Sequence, residues 1–383
     1  MDRIVIPGDW GFLREPLPTV AERSEMTTLG NTFESMYDFD TLFNDAIYIG
    51  DNRVILVGPP LYDIKSKIRF TDGKKLLTPQ YMEMDRSCTT VINLDPDDSD
   101  LYIEYNGDHI KVTINYPSTI FDGRRLMGTI QKDEPIHWIK EWITYYHTVH
   151  GVDGFVIYNN KCEKYTVEEL QTQLNEMYDD VVIEVVDYQS PLGGFTKSWN
   201  SNFAQMVMYE HIKYKYAWCA DLFLNNDIDE LLVLYDGLTL DSVYNQILSS
   251  NSEGIIYGSQ NIDPYNEKYG KDAIELPVDK IHYRDYYYWG HHINNKNIYG
   301  TNSIAKWFII PERAMGNQWM THYIGGQHSC MYVQKDPKVI NLCHFYALQS
   351  PNKKHRQLNR STAKDGDLIK DEYLEILLKE TFN

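Results

Sequence analysis

Positive charge is what this chain has least of. Its 36 Lys and Arg residues face 55 Asp and Glu residues over 383 positions, a formal net charge of -19. Such a surface repels nucleic-acid backbones and anionic membranes, so neither is an expected partner. A bound phosphate would need a metal, a helix N-terminus or a few placed cations. Cysteine is also sparse: Cys88, Cys162, Cys219, Cys330 and Cys343 are odd in number and never fall in a C-x-x-C pair. That argues against a disulfide framework or a cysteine-built zinc site and points to a reducing compartment. No apolar run reaches the roughly 18 residues of a membrane span, and positions 1–8 lack the apolar core of a signal peptide. A soluble, cytoplasmic protein without a transmembrane helix is the expectation. Nothing in the sequence bears on subunit number.

What is present suffices for a large core, with 43% hydrophobic residues, and the length implies more than one domain. Positions 1–124 carry short β-favouring runs, such as 53–57 and 110–114, separated by turn signals at Gly50-Asp51-Asn52 and Asn106-Gly107-Asp108. This reads as a β-rich accessory domain, expected to be dispensable for nucleotide binding. Over 125–350, strand and helix patterns alternate. The strand 126–130 precedes a helix opened by Asp133-Glu134-Pro135, whose Trp138, Trp142, Tyr145, Tyr146 and Val149 recur at helical spacing until Gly151 stops it. A strand at 155–158, a helix capped by Thr166, a strand at 181–186 and a helix over 199–214 follow. The alternation predicts an α/β fold with a parallel, Rossmann-like sheet. Positions 351–383 begin basic and end in an amphipathic helix with Leu368, Ile369, Leu374, Leu377 and Leu378.

Asp227-Ile228-Asp229-Glu230 lies between the apolar runs 222–224 and 231–234. Carboxylates crowded at a strand end repel one another unless a cation joins them, and a hard divalent ion is the natural one. In open α/β sheets, ligands bind beyond the carboxyl ends of strands, where this motif is expected. The plain alternative is a solvated acidic turn. The tract 283–292, rich in tyrosine, reads equally as a sugar-stacking groove or as core.

Glu134-Pro135, Trp138, Glu141-Trp142-Ile143, Tyr146-His147, Gly151-Val152-Asp153 and Val156-Ile157-Tyr158-Asn159-Asn160, followed by the D-x-D-E motif, resemble GT-A-type glycosyltransferases related to glycosyltransferase family 92 and to family 2-like enzymes. The chain departs from the pattern at Asp133, where Asn is common, and at 159–162, where Ser and Asp are common. The resemblance spans 125–350. It implies a GT-A-like Rossmann-type nucleotide-sugar-binding domain using Mn²⁺ or Mg²⁺. The implied donor is a UDP- or GDP-linked sugar, the acceptor a glycan or glycoconjugate, and the outcome inversion. Carried over residue by residue, it places Thr129, Gln131, Glu134, Asn160, Lys197, Asp227 and Lys306 at the donor. It places Asp227, Asp229 and His344 at the metal, with His328 as second choice for the histidine. Glu230 falls at the acceptor or its loop. An inverting transferase needs a general base, for which Asp263 is the choice, with Glu267 and Asp285 as alternatives. Lys306 and Arg313 read as cations for the diphosphate or acceptor, or else as surface charges. Two other classes remain open: a noncatalytic carbohydrate-binding protein, and a metal-dependent nucleotidyl or phosphoryl transferase.

Overall fold

The computed structural model describes residues 1–5, 33–192, 202–270, 273, 276–290, 305–326, 330–334, 336–348 and 368–383. Lys197, His291, His292, His328 and His355 lie outside them. Asp45–Tyr48, Arg53–Gly58, Gln80–Glu83 and Cys88–Asn93 form one four-stranded antiparallel sheet. Ile68–Thr71, Leu76–Leu77, Leu101–Tyr105 and Asp108–Val112 form another. The hairpin between the last two strands turns at Asn106-Gly107, both with positive φ (49 and 93°), which the right-handed twist of paired strands favours. Strand periodicity then sends Leu101, Ile103 and Tyr105 inward, where they join Val54, Leu56, Phe70 and Ile92 in a shared core.

The remainder is mixed α/β. A seven-stranded sheet takes β1 (Arg125–Gln131), β2 (Gly154–Asn160), β3 (Val182–Tyr188) and β4 (Leu222–Asn225), then antiparallel β9 (Lys306–Ile309), then β6 (Gly254–Tyr257) and β10 (Met331–Gln334), in the order β3-β2-β1-β4-β9-β6-β10. The first four are mutually parallel, as the alternation predicts. A five-stranded sheet sets β5 (Glu230–Leu234), β11 (Ile340–Phe345), β7 (Ser259–Ile262), β8 (Tyr288–Gly290) and β12 (Leu368–Lys370) side by side. Only long-range pairing creates it.

Helix α1 (Ile136–His150) starts at Pro135 and ends at Gly151, whose left-handed φ of 62° lets its N–H reach back to His147 O. Trp138, Trp142, Tyr145 and Tyr146 are fully buried, in one cluster with Phe155 and Ile157 of β2 and Leu231 to Leu234 of β5. α2 (Val167–Asn175) is capped by Thr166, as expected, and Glu169 closes the cap into a capping box. α3 (Phe203–Lys215) crosses β1 so closely that a Cβ on Gly128 would meet Ile212 Cδ1 at 2.6 Å. α4 (Leu240–Leu248) follows β5. In the C-terminal segment, Leu368 and Ile369 form β12 rather than helix, because an open sheet edge at β8 takes them. Asp371 then caps α5 (Glu372–Thr381), which buries Leu374 and Leu378. Among the described residues no helix is long and apolar enough to cross a membrane.

A polar seam joins the N-terminal sheets to α3. His211 Nε2 lies 2.7 Å from Asp45 Oδ2, both side chains 2% exposed, and Tyr158 OH reaches His211 Nδ1. Thr89 Oγ1 donates to Glu210 at 3.2 Å, Glu210 pairs with buried Lys213, and Asn44 Nδ2 donates to Ser190 Oγ. Burial works against ionisation of Asp45, but the bonds from His211, Asn115 and Ala46 hold its carboxyl below the usual range. Burial lowers His211. The pair is therefore neutral imidazole, Nε2–H donating, on an ionised carboxylate.

Candidate functional site

The acidic motif occupies the turn that carries the chain from β4, in one sheet, to β5, in the other. Glu230 N–H donates to Asp227 O at 3.0 Å, and Asp227 N–H donates back to Glu230 Oε2 at 2.9 Å. This reciprocal closure fixes the turn and leaves Asp229 on the far side. There β11 supplies the partner: Glu230 is in register with His344, Phe345 N–H donates to Asp229 O at 2.8 Å, and His344 Nε2 stands 3.2 Å from Asp229 Oδ2. Residues 115 positions apart thus meet through ordinary antiparallel pairing.

On the other side, antiparallel β9 begins where β4 ends, so its first residue lies beside the turn. Lys306 is 0% exposed, with Nζ 2.9 Å from Asp227 Oδ2 and 3.2 Å from Glu230 Oε2. Burial opposes its charge, but Asp227 and Glu230 hold the ammonium well above its ordinary pKa. Burial raises the Glu230 carboxyl against the pull of Lys306, and Asp227 and Asp229 add to the rise. The reading of Lys306 as a diphosphate cation meets a different arrangement here: its partners are carboxylates of the protein.

The motif is braced from behind. β5 is an edge strand, and its outward peptide groups need partners. α1 provides them: Tyr146 OH donates to Glu230 O at 3.0 Å and accepts from Leu232 N–H at 2.9 Å, while Tyr145 OH and His150 Nε2 reach Leu232 O at 2.7 and 2.8 Å. Tyr283 OH donates to Ile228 O. Gln205 Nε2 of α3 faces Asp227 Oδ1 at 3.5 Å, and Tyr209 OH donates to Asn225 Oδ1 at 2.7 Å.

The other expected residues are placed as follows. Gln131, at the end of β1, donates to Asn159 and accepts from Glu134 N–H and Tyr165 OH at 3.2 and 3.0 Å. Asn160, at the end of β2, donates to Tyr188 O and Ser190 O at 3.1 and 2.8 Å, fastening β2 to β3. Thr129 is buried within β1. These residues gather at the carboxyl ends of β1 and β2, the same end of the sheet as Asp227. Asp263 follows β7, whose Asn261 is in register with His344; its Oδ1 accepts from Tyr265 N–H at 3.0 Å, and it is 8% exposed. Glu267 is tied instead to Tyr288 and Lys370, at 2.8 and 2.9 Å.

The Arg313 guanidinium donates to the carbonyls of Ile247, Leu248, Ser250 and Ser252, closing the end of α4. Tyr283, Tyr286 and Tyr287 are buried, so that part of the aromatic tract is core, and only Tyr288 and Trp289 keep partial exposure. Sequence reasoning missed Asn261, Gln205 and Tyr209. Asn261 had no signal, since only strand register places it.

No family model matches the chain, and no curated protein matches it. Function must be read from the site.

Proposed function

We propose that the chain is a metal-dependent glycosyltransferase with a GT-A-like, Rossmann-type donor domain, acting in the cytoplasm on a glycan or glycoconjugate acceptor. The observation that carries this reading is the Asp229–His344 pair, 3.2 Å apart beyond the carboxyl end of β4. Two ligands at right angles on one ion, with bonds of about 2.1 Å, lie about 3 Å apart, so the spacing fits a shared divalent cation. A carboxylate with an imidazole suits Mn²⁺ better than Mg²⁺. Among the described residues no three His, Cys, Asp or Glu side chains are grouped to hold a metal by themselves. When bound, it would offset the negative charge that a departing nucleoside diphosphate gains.

The strand order β3-β2-β1-β4 and the position of the motif at a strand end also favour a donor site here. UDP- and GDP-sugars are the proposed donors, with inversion as the outcome. Asp263 is the proposed base, and Glu230, held between Lys306 and the turn, shapes the acceptor side. The buried free thiol of Cys343 fits a reducing compartment.

The test is a thermal-shift comparison of UDP and GDP, each with and without Mn²⁺. A ligand at 100 times its Kd stabilises by about 2.7 kcal/mol, a shift of several degrees. The expected result is a rise that needs both Mn²⁺ and one of the nucleotides. No rise with either nucleotide would sink the reading. Binding of glycan alone would favour a lectin, and pyrophosphate release from a triphosphate would favour a nucleotidyl transferase.

A further inference from the structure

Three carboxylates within four residues would ordinarily all be candidates for one cation. The structure divides them. Asp227 Oδ2 is 2.9 Å from Lys306 Nζ, and Asp227 Oδ1 faces Gln205 Nε2 at 3.5 Å. Glu230 Oε2 accepts from Asp227 N–H at 2.9 Å and pairs with the same ammonium at 3.2 Å. Lys306 cannot swing away into water: it is 0% exposed and fixed by β9 pairing, with Tyr257 opposite it on β6. Asp229 instead faces outward from this knot, toward His344.

We propose that Lys306 is a built-in counter-ion that withholds Asp227 and Glu230 from the metal, leaving Asp229 and His344 as its ligands among the described residues. The inference rests on the metal-dependent reading above and deepens it, because it says which acids of the motif the ion touches. A divalent ion on Asp227 would sit beside a fixed ammonium, and the two positive charges repel across a water-poor site. Lys306 also lessens the work left to the ion, because the lysine already meets one of the motif's acidic charges. Such a site holds the ion loosely in the free protein and firmly only with a diphosphate present. Lys306 is thus a positioning residue, acting through Asp227 and Glu230.

The test reads Mn²⁺ binding directly, by calorimetry and by the Mn²⁺ electron-spin signal, with UDP or GDP at saturation and without turnover. Asp229→Asn and His344→Ala should each weaken Mn²⁺ binding at least tenfold, while Asp227→Asn changes it less than threefold. Lys306→Met should tighten Mn²⁺ binding severalfold by releasing Asp227, an effect that a purely structural lysine would not produce. The triple change Lys306→Met, Asp227→Asn and Glu230→Gln removes the lysine and both acids it holds, so it tests the same point if the single variant fails to fold, and it should return to within threefold of the wild type. Loss of binding in Asp227→Asn equal to that in Asp229→Asn overturns the inference and leaves the metal-dependent reading standing. A wild-type chain that binds no Mn²⁺ with either nucleotide overturns both.

Discussion

Asp229 is the residue on which the proposed chemistry turns, and its surroundings separate function from folding. Its backbone carbonyl accepts from Phe345 N–H at 2.8 Å, a bond that a change of side chain leaves in place. Asp229→Asn removes a charge and almost no shape, so the fold should be retained while release of the nucleotide from its sugar falls by roughly 10²-fold or more. The check is turnover beside thermal unfolding; an unaltered rate in a folded variant would remove Asp229 from the mechanism. The acid itself was readable from sequence, because crowded carboxylates at a strand end imply a cation. Which cation each acid meets was not. A lysine before an apolar strand looks the same whether its head lies in water or, like Lys306, at 0% exposure between two carboxylates. Arg313 was ambiguous for the same reason, since a side chain that closes α4 and one that binds a diphosphate have identical local sequence signals.

At the scale of elements, local patterns were legible and pairings were not. The helical spacing of Trp138, Trp142, Tyr145 and Tyr146 predicted α1, and Thr166 marked the start of α2. Periodicity could not say that α1's tyrosines would turn their hydroxyls to the edge of β5, nor that β9 would enter the first sheet antiparallel beside β4. Tyr146 is where this matters most, because one hydroxyl serves both Glu230 O and Leu232 N–H. Tyr146→Phe leaves two buried peptide groups unsatisfied and should cost about 1–3 kcal/mol. Urea unfolding measures it: the midpoint should fall with the slope unchanged. An unmoved midpoint would mean that β5's edge is held in some other way.

For the molecule as a whole, acid should weaken the fold through buried imidazoles. His150 donates from Nε2 to Leu232 O, its Nδ1 is buried without a partner among the described residues, and burial, with Arg125 nearby, pushes its pKa down to about 4. A histidine that titrates lower when folded contributes stability in full above its unfolded value, about 6.5. That contribution is lost as pH falls toward 4, and amounts to roughly 3 kcal/mol. Stability should therefore decline from pH 6.5 downward, and His150→Leu should flatten the decline. Unfolding free energies measured between pH 7.5 and 4.5 decide it, and equal slopes in the two proteins would discard the role. The seam at α3 also counts against the expected dispensability of 1–124. Removing those residues uncovers His211 and Glu210 on the helix whose Gln205 and Tyr209 face the acidic turn.

That seam has a consequence in time. Asp45, Asn44 and Thr89 are synthesised 166, 146 and 121 residues ahead of the partners that satisfy them. At about 5–20 residues per second, the ribosome takes roughly 10–30 s to reach His211 after making Asp45. Until then the emerging strands carry polar groups with nothing to bury them against, and a carboxylate at Asp45 keeps that surface hydrated. The first strands to be made are thus among the last to reach their native surroundings, and their docking waits on a helix from the middle of the chain.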